Sequence, residues 1–153
     1  MERIGAAWVA GRPYRNRIGV YAIVVGAGGR LLCVRQETPS KSELQLPGGG
    51  VDPGEHPIPA LHRELREETG WVVGPPRRIG AFQSFPWLWD NRYWARKVHL
   101  VFLARAVRQD GPPREPGHHP LWLAPETAAE RLDVPGDRAM VARALATGLI
   151  RRR

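Results

Sequence analysis

The segment Pro57–Thr69 constrains this chain most, because it mixes acidic and apolar residues on one side of a predicted helix. Its two prolines fall in the first turn, where proline is tolerated, and His56 and Gly70 are suited to the N-cap and C-cap positions. At about 100° per residue, three glutamates share one side of this helix with the apolar residues Ala60, Leu61 and Leu65. A helix that only needed to be solvated would carry its glutamates on the opposite side.

The three glutamates, Glu64, Glu67 and Glu68, are spaced so that Glu64 neighbours the other two on the helix surface. At a separation of ~5–6 Å and an effective dielectric of ~20, each like-charged pair costs about 3 kcal/mol. Arg63, one turn before Glu67, offsets part of this repulsion, and a divalent cation offsets more. Because clustered carboxylates select Mg²⁺, Mn²⁺ or Ca²⁺ over softer metals, the helix predicts a divalent metal site.

Three successive glycines, Gly48–Gly50, follow Pro47 and precede the helix. Glycine permits positive φ and close approach of the backbone to a ligand, so the carbonyl or amide groups here can serve as metal or phosphate contacts. A Walker phosphate loop is excluded, because no Gly-Lys-Ser/Thr sequence follows. The glycines therefore indicate a turn that can take part in the metal site.

The overall charge supports a competing interpretation. The chain has 153 residues and a net charge of +8, from 23 basic and 15 acidic residues, and basic domains commonly bind nucleic acid. The arginines are scattered, however, whereas five of the fifteen acids fall between Asp52 and Glu68. A phosphate-rich small molecule held through a metal fits this distribution at least as well, so nucleic acid is the less favoured partner.

The length is typical of one domain, and we expect residues 1–153 to form a single domain. The only cysteine, Cys33, excludes an internal disulfide, and the first ten residues lack a signal-peptide pattern. No apolar stretch is long enough to span a bilayer, so no membrane partner is expected. Together these features predict a cytoplasmic protein.

Strand and helix signals alternate along the chain, which predicts an α+β fold with a mixed β-sheet sandwiched between helices. Ile18–Val25 and Arg30–Arg35 flank a glycine turn, which indicates a hairpin. The other predicted elements are strands at Leu44–Leu46, Arg78–Phe85 and Ala95–Ala106, a short apolar segment at Leu121–Leu123, loops at Thr38–Glu43 and Pro112–Pro120, and helices at Pro125–Leu132 and Asp137–Thr147.

Around the acidic helix, the sequence resembles the Nudix box, written G-x5-E-x7-R-E-U-x-E-E-x-G-U, where U is a bulky aliphatic residue. The matching residues are Gly49, Glu55, Arg63, Glu64, Leu65, Glu67, Glu68 and Gly70. Only the last position differs, since Trp71 is aromatic. Strand patterns on both sides of the box also resemble the family, so we expect the similarity to cover most of the chain and the fold to be the Nudix α/β/α fold.

Nudix proteins hydrolyse a nucleoside diphosphate linked to another moiety and require Mg²⁺ or Mn²⁺. The resemblance therefore implies a Mg²⁺-dependent pyrophosphohydrolase with a small-molecule nucleotide substrate. It implies that the metal ligands are Gly49 (through its carbonyl), Glu64, Glu67 and Glu68. Arg63 would pair with Glu67 and orient it, and Glu55 would support the junction of loop and helix or a metal-bound water. The expected catalytic residues are Arg63, Glu64, Glu67 and an acid on a later loop.

The general base stays open at this point, because in this family it is either a glutamate of the box or an acid on a later loop. Glu115 is our candidate for the later acid, ahead of Asp90 and Asp110. His118 and His119 stand where relatives often have acids. A carboxylate in that position would take a proton from the attacking water.

Residues that bind the substrate are expected outside the box. We expect Arg35 to bind phosphate, and Trp87 and Tyr93, which lie near Trp89 and Trp94, to stack on a nucleobase. Packing of these aromatic residues in the core or in a homodimer is an equally open interpretation. Further arginines that could bind phosphate are Arg17, Arg92 and Arg96.

Two other functions on the same fold compete with hydrolysis. A non-catalytic nucleotide-binding module would usually show a degraded box, whereas this box is complete. An isomerase of the isopentenyl diphosphate type would need a reactive cysteine, and Cys33 is predicted to lie in the middle of a buried strand.

Overall fold

The computed structural model describes residues 1–153 as nine strands and three helices. The strands are β1 (Arg15–Val25), β2 (Leu31–Glu37), β3 (Ser42–Gln45), β4 (Gly48–Gly50), β5 (Trp71–Val73), β6 (Arg77–Ser84), β7 (Trp87–Leu88), β8 (Tyr93–Gln109) and β9 (His118–Leu123). The helices are α1 (Pro57–Thr69), α2 (Pro125–Arg131) and α3 (Pro135–Ala146). None of these helices has the length and apolar character needed to cross a membrane.

Strands β1 and β8 form the centre of the sheet and give it a mixed topology. They run parallel from Arg15 opposite Ala95 to Val25 opposite Arg105, whereas every other pair of these strands is antiparallel. The strand order is β3-β2-β1-β8-β5, with β4 also on β1, β6 and β7 on β8, and β9 on β2. The predicted mixed sheet and the β1–β2 hairpin are therefore confirmed.

Alternate residues of β1 pack on opposite faces of the sheet, as the period of two in a strand requires. Val20, Ala22 and Val24 pack against α1, whereas Tyr21 and Ile23 belong to the core cluster formed with α2 and α3. Because both faces are covered, β1 is apolar along most of its length, and the predicted sandwich of helices around the sheet is confirmed.

Cys33 is fully buried on the α2 and α3 side of the sheet. Burial raises the pKa of its thiol to about 12, with a further contribution from the negative charge of Asp137. A thiol in this state is a poor nucleophile. The structure therefore gives no support to the cysteine chemistry that an isomerase would need.

The sequence-based boundaries fail mainly for strands at the margins of the sheet. β9 begins at His118, inside the predicted proline-rich loop, and Pro120 pairs with Val34 of β2. Proline is tolerated there because β9 pairs with β2 alone, which leaves its other side without a strand to bond. Similarly, β3 begins at Ser42, inside the predicted polar loop, because residues 42–45 pair with β2.

The three glycines form the strand β4 rather than a simple turn. They pair with Gly19, Val20 and Tyr21 of β1. Gly48 has a φ of 145°, and a Cβ atom at this position would overlap the carbonyl oxygen of Val20. Only glycine therefore fits where β4 begins, and the close pairing brings the backbone of this segment next to α1.

Two aspartates fix the outer side of β3. Asp133 Oδ2 accepts a hydrogen bond of 2.6 Å from the Leu44 amide, and the Asp133 amide donates one of 2.8 Å to the Leu44 carbonyl. Asp137 Oδ2 accepts a hydrogen bond of 3.0 Å from the Leu46 amide. The α2–α3 connection and the first turn of α3 therefore take the place of a further strand and hold the chain just before the glycines.

Candidate active site

Helix α1 has the bounds that the sequence predicts, and its caps explain them. His56 Nδ1 accepts a hydrogen bond from the Ile58 amide at 3.3 Å, and Gly70 ends the helix in the left-handed region with a φ of 76°. Of the three glutamates, Glu64 and Glu68 are buried, with 8% and 3% of their surface exposed. Helix α1 therefore buries acidic and apolar residues on the same side, as the sequence predicts.

Arg63 joins four carboxylate or carbonyl groups around the start of the helix. Its Nε and Nη2 atoms each lie 2.8 Å from an oxygen of Glu55, and Nη2 also donates to the Gly50 carbonyl at 3.1 Å. Its Nη1 atom donates to Glu64 Oε1 at 2.9 Å and to Glu67 Oε2 at 3.1 Å. Arg63 therefore contacts Glu67, as its spacing suggests, but its bidentate contact is with Glu55.

Glu55 links this arginine to the loop before α1. Its Oε1 accepts a hydrogen bond of 3.0 Å from the Asp52 amide, in addition to the contacts with Arg63. The hydrogen bonds from Arg63 lower the pKa of Glu55 to about 2, so this carboxylate stays ionised at neutral pH. Both acceptor oxygens are occupied within the protein, which suits a supporting position at the junction of loop and helix.

A second set of contacts gathers around Glu68. Its Oε2 accepts a hydrogen bond from the Gly48 amide at 3.0 Å, and its Oε1 lies 3.1 Å from His118 Nε2. Glu115 Oε2 lies 3.6 Å from the same histidine nitrogen. The hydrogen bond with Glu68 raises the pKa of His118 to about 9.

The loop before β9 carries Glu115 to the acidic helix. The amides of Arg114 and Glu115 donate to the Glu67 carbonyl at 2.8 and 3.1 Å. Burial raises the pKa of Glu115 above its usual range, and burial raises that of Glu64 to about 7. An uncompensated negative charge is therefore costly at both carboxyl groups.

Two groups of side chains here have the chemistry of a metal site. The possible ligand atoms of Glu64, Glu67 and Glu115 lie within 4.8 Å of one another, and so do those of Glu68, Glu115 and His118. A Cβ atom at Gly49 would overlap the Glu64 carboxylate, so this glycine leaves room for backbone and acid to meet. Oxygen donors dominate the set, which suits a hard divalent cation such as Mg²⁺ or Mn²⁺.

These groups open onto a cavity of about 290 Å³, which we call the carboxylate cleft. Its lining includes Gly48–Gly50, Glu64, Glu68, Glu115 and His118, together with Arg17, Tyr21, Gln36, Gln45 and Lys97. Arg17 and Lys97 are opposite each other in the β1–β8 register. The cleft thus combines an acidic set that can hold metal with two cations that can face phosphate groups.

The structure brings some of the predicted site residues together and leaves others apart. Gly49, Glu64, Glu67, Glu68 and Glu115 meet at the carboxylate cleft or its edge. Their expected roles in metal binding and catalysis stay predictions.

The residues expected to bind substrate lie outside this cleft. Arg35 is directed to Ser42 Oγ at 3.4 Å, and Trp87 packs edge-on against Trp89 and Trp94. Tyr93 comes nearest, because its hydroxyl accepts a hydrogen bond from Arg17. The two weaker acid candidates are also elsewhere, with Asp90 bonded to Ser40 and Asp110 paired with Arg66.

Sequence reasoning did not include His118, Lys97, Gln36 or Gln45 among the site residues. His118 drew attention only because an acid is often found in its place. Lys97 becomes visible once β1 and β8 are aligned in parallel, because it then stands opposite Arg17. Gln36 and Gln45 hydrogen-bond to each other across β2 and β3, and no local pattern in the sequence marks them.

This chain is similar to known proteins along most of its length. A model of the NUDIX domain matches residues 15–144. A protein of Novosphingobium aromaticivorans named RNA pyrophosphohydrolase is 44% identical over 134 residues, which cover 76% of this chain and 81% of that protein. A Bartonella henselae protein of the same name is 41% identical over 63 residues, or 38% of this chain, and the match spans only 36% of that relative's length.

Among solved structures, a MutT NUDIX hydrolase from Burkholderia pseudomallei superposes with a TM-score of 0.68 at 24% identity. The match covers 84% of this chain and 97% of that one. At this level of identity the likeness concerns the fold.

Proposed function

Since this chain belongs to the Nudix family of hydrolases, which act on pyrophosphate bonds, we propose that it cleaves the diphosphate linkage at the 5′ end of a nucleotide or an RNA chain. The observation that carries the proposal is the convergence of acidic groups from α1 and from the loop before β9 on one cleft. Arg17 and Lys97 in the same cleft supply positive charge for the phosphate groups that the acids would repel.

The proposal includes a divalent cation, Mg²⁺ or Mn²⁺, held by Glu64, Glu67 and Glu68 with the Gly49 carbonyl. The close approach of Gly49 to Glu64 and the predominance of oxygen donors support this fit. When bound, such a cation neutralises phosphate charge and lowers the pKa of a bound water. Arg63 fixes the rotamers of Glu64 and Glu67 through Nη1, which is how it would contribute to the reaction.

Glu115 is the carboxylate that we propose as proton acceptor. Glu64 and Glu67 each bond to Arg63, and Glu68 bonds to Gly48 and His118, whereas Glu115 has no arginine partner. Burial raises its pKa, and a base works best when its pKa approaches the working pH. His118, 3.6 Å away, would stabilise the ionised form before the proton arrives.

RNA with a 5′ triphosphate is the substrate that the names of the relatives favour. Beside the cleft, two arginines stack on aromatic rings rather than pairing with acids. Arg12 Cζ lies 3.6 Å from the ring centre of Trp94, and Arg15 Cζ lies 4.7 Å from that of Tyr93. Arginine and aromatic side chains together commonly bind single-stranded nucleic acid. This substrate would make nucleic acid a partner of the protein, contrary to the expectation from the scattered arginines. A cytoplasmic location is part of the same proposal.

The test is a substrate panel in which products are identified by chromatography. A 5′-triphosphorylated oligoribonucleotide, nucleoside triphosphates and ADP-ribose are incubated with Mg²⁺, with Mn²⁺ or with EDTA. We expect metal-dependent release of pyrophosphate from the oligoribonucleotide, leaving a 5′ monophosphate. Binding of these compounds without turnover under every metal condition would instead support a non-catalytic nucleotide-binding module.

A further inference from the structure

A groove of about 1010 Å³, larger than the carboxylate cleft, lies at the other end of the central strands. Val25 and Arg105, which are opposite each other in the β1–β8 register, line it. Arg17 and Lys97, which line the carboxylate cleft, stand eight residues earlier on the same two strands. At ~3.3 Å per residue, these two residue pairs are about 26 Å apart along the strands. The two cavities share no lining residue, so they are separate sites.

We call this cavity the arginine groove, because Arg105 and Arg151–Arg153 line it and no acidic residue does. None of these four guanidinium groups forms an ion pair with an acidic side chain. The nearby Glu126 accepts a hydrogen bond from the backbone amide of Arg153, at 3.2 Å. Four guanidinium groups around one groove repel each other, and an anion with several charges relieves that repulsion.

The backbone of the groove also suits an anion. Its lining contains five glycines, of which Gly28, Gly29 and Gly148 have positive φ. The space above Gly29 and Gly148 is open, and the guanidinium group of Arg153 packs over Gly28. The amides of Leu149, Arg151 and Arg152 donate no hydrogen bond within the protein. A phosphate group can therefore approach the backbone closely, in a lining that contains three amides without a hydrogen bond.

The floor of the groove is apolar, which distinguishes it from a simple basic patch. Val25, Leu103, Val107, Leu149 and Ile150 line it, and Val107 is 60% exposed. An exposed valine beside arginines offers a surface for a flat ring, while the guanidinium groups face the charges.

We propose that the arginine groove binds a small organic anion with two or more phosphoryl groups and a flat apolar body, the chemistry of a nucleoside polyphosphate. Such a ligand would occupy the groove without a metal ion, because the arginines and free amides supply the positive charge. The site would be independent of the carboxylate cleft and of the hydrolysis proposed there.

The test is an amide NMR titration of the whole chain in EDTA, where the acidic cleft without metal repels polyphosphates. The probes are inorganic tripolyphosphate, a methylene-bridged ATP analogue and an oligoribonucleotide without 5′ phosphates. We expect saturable shifts at the groove glycines, such as Gly28, Gly29 and Gly148, and tighter binding of the analogue than of tripolyphosphate. Shifts centred on Gly48–Gly50, or no binding at all, would overturn the proposal.

Two matched variants complete the test. The groove variant combines Arg105→Gln, Arg151→Gln and Arg152→Gln, and the control combines Arg77→Gln, Arg78→Gln and Arg131→Gln, which are exposed residues outside both cavities. We expect the analogue to bind at least about tenfold more weakly to the groove variant and nearly unchanged to the control, with hydrolysis retained in both. Equal weakening in both variants would mean non-specific attraction, and tighter binding of the oligoribonucleotide than of the analogue would mean a polynucleotide surface. Either result, or an analogue that binds no tighter than tripolyphosphate, contradicts the proposal.

Discussion

Glu64 and Asp137 are two buried carboxyl groups whose pKa values burial raises to about 7, yet their surroundings differ. Glu64 contacts Arg63, opens onto a cleft, and has ligand atoms of Glu67 and Glu115 within 4.8 Å. Asp137 is 1% exposed, accepts one hydrogen bond from the Leu46 amide, and its second oxygen has no partner. At both positions the raised pKa is a consequence of burial. A candidate active site is indicated only where several acidic side chains also lie together beside a cavity, as they do around Glu64.

If the glutamates at the carboxylate cleft differ from Asp137 in this way, Glu68→Gln should cause the largest loss of activity. The amide keeps the shape and one acceptor but removes a charge from the proposed metal site, so we expect kcat to fall by about 10³-fold, equivalent to about 4 kcal/mol. Initial rates at saturating Mg²⁺ and a thermal unfolding curve measure activity and fold separately. Asp137→Asn is the matched control, and an equal loss of activity there would contradict the distinction.

A smaller loss is expected for Glu115→Gln, because it removes the proposed proton acceptor and leaves the helix glutamates in place. We expect kcat to fall by about 10²-fold. Because burial raises the pKa of Glu115, the kcat of the wild type should rise with pH as this group loses its proton. That rise should disappear from the pH profile of the variant, and an unchanged profile would transfer the role to a glutamate of α1.

Gly49→Ala tests whether activity depends on the close approach of the β4 backbone to the Glu64 carboxylate. The added methyl group would overlap the Glu64 carboxylate and push it away from its neighbours. We expect a destabilisation of about 1–3 kcal/mol and a fall in kcat of about tenfold. Gly50→Ala provides the comparison, because nothing lies within 4 Å of a Cβ there, and similar losses in both variants would point to the glycine backbone instead.

Asp137→Asn should leave activity nearly unchanged but alter the pH dependence of stability. With a usual value of 3.8 and a folded pKa of about 7, Asp137 holds a proton in the native state that the unfolded chain releases between those pH values. The free energy of unfolding therefore falls as pH rises from about 4 to about 7, by at most about 1.4 kcal/mol per unit.

Urea unfolding at several pH values measures this contribution as the difference between wild type and variant. The difference should change across pH 4–7 and level off above pH 7. Asp133→Asn removes a neighbouring carboxyl group that is exposed, and it should preserve the slope of the wild type. A wild-type slope that persists in the Asp137→Asn variant would mean that another group titrates.

The acidic helix could be predicted from sequence because its determinants are local. The caps at His56 and Gly70 and the spacing of the glutamates are all fixed within about four turns of helix. Glu115 and His118 are different, since their position depends on two amide bonds to Glu67 and on the pairing of β9 with β2. Contacts across more than forty residues of chain leave no periodic signal.

The strand β4 and the aromatic residues of the β7–β8 hairpin also depend on pairing between strands, which the local sequence does not reveal. Three glycines predict a turn, and they become a strand only because β1 presents Gly19, Val20 and Tyr21 at the right register. Trp87 lies in the β7–β8 hairpin and packs against Trp94, and its expected stacking on a nucleobase stays a prediction.

The hydrogen bonds of Asp133 and Asp137 to the outer edge of β3 also affect how two copies of the chain could associate. Both backbone groups of Leu44 and the amide of Leu46 are already bonded on that side, so another copy of the chain finds no row of unpaired groups there. Two molecules that joined their sheets edge to edge along β3 would first have to strip away the α2–α3 connection. A homodimer of this protein would therefore have to form through a surface other than the β3 edge.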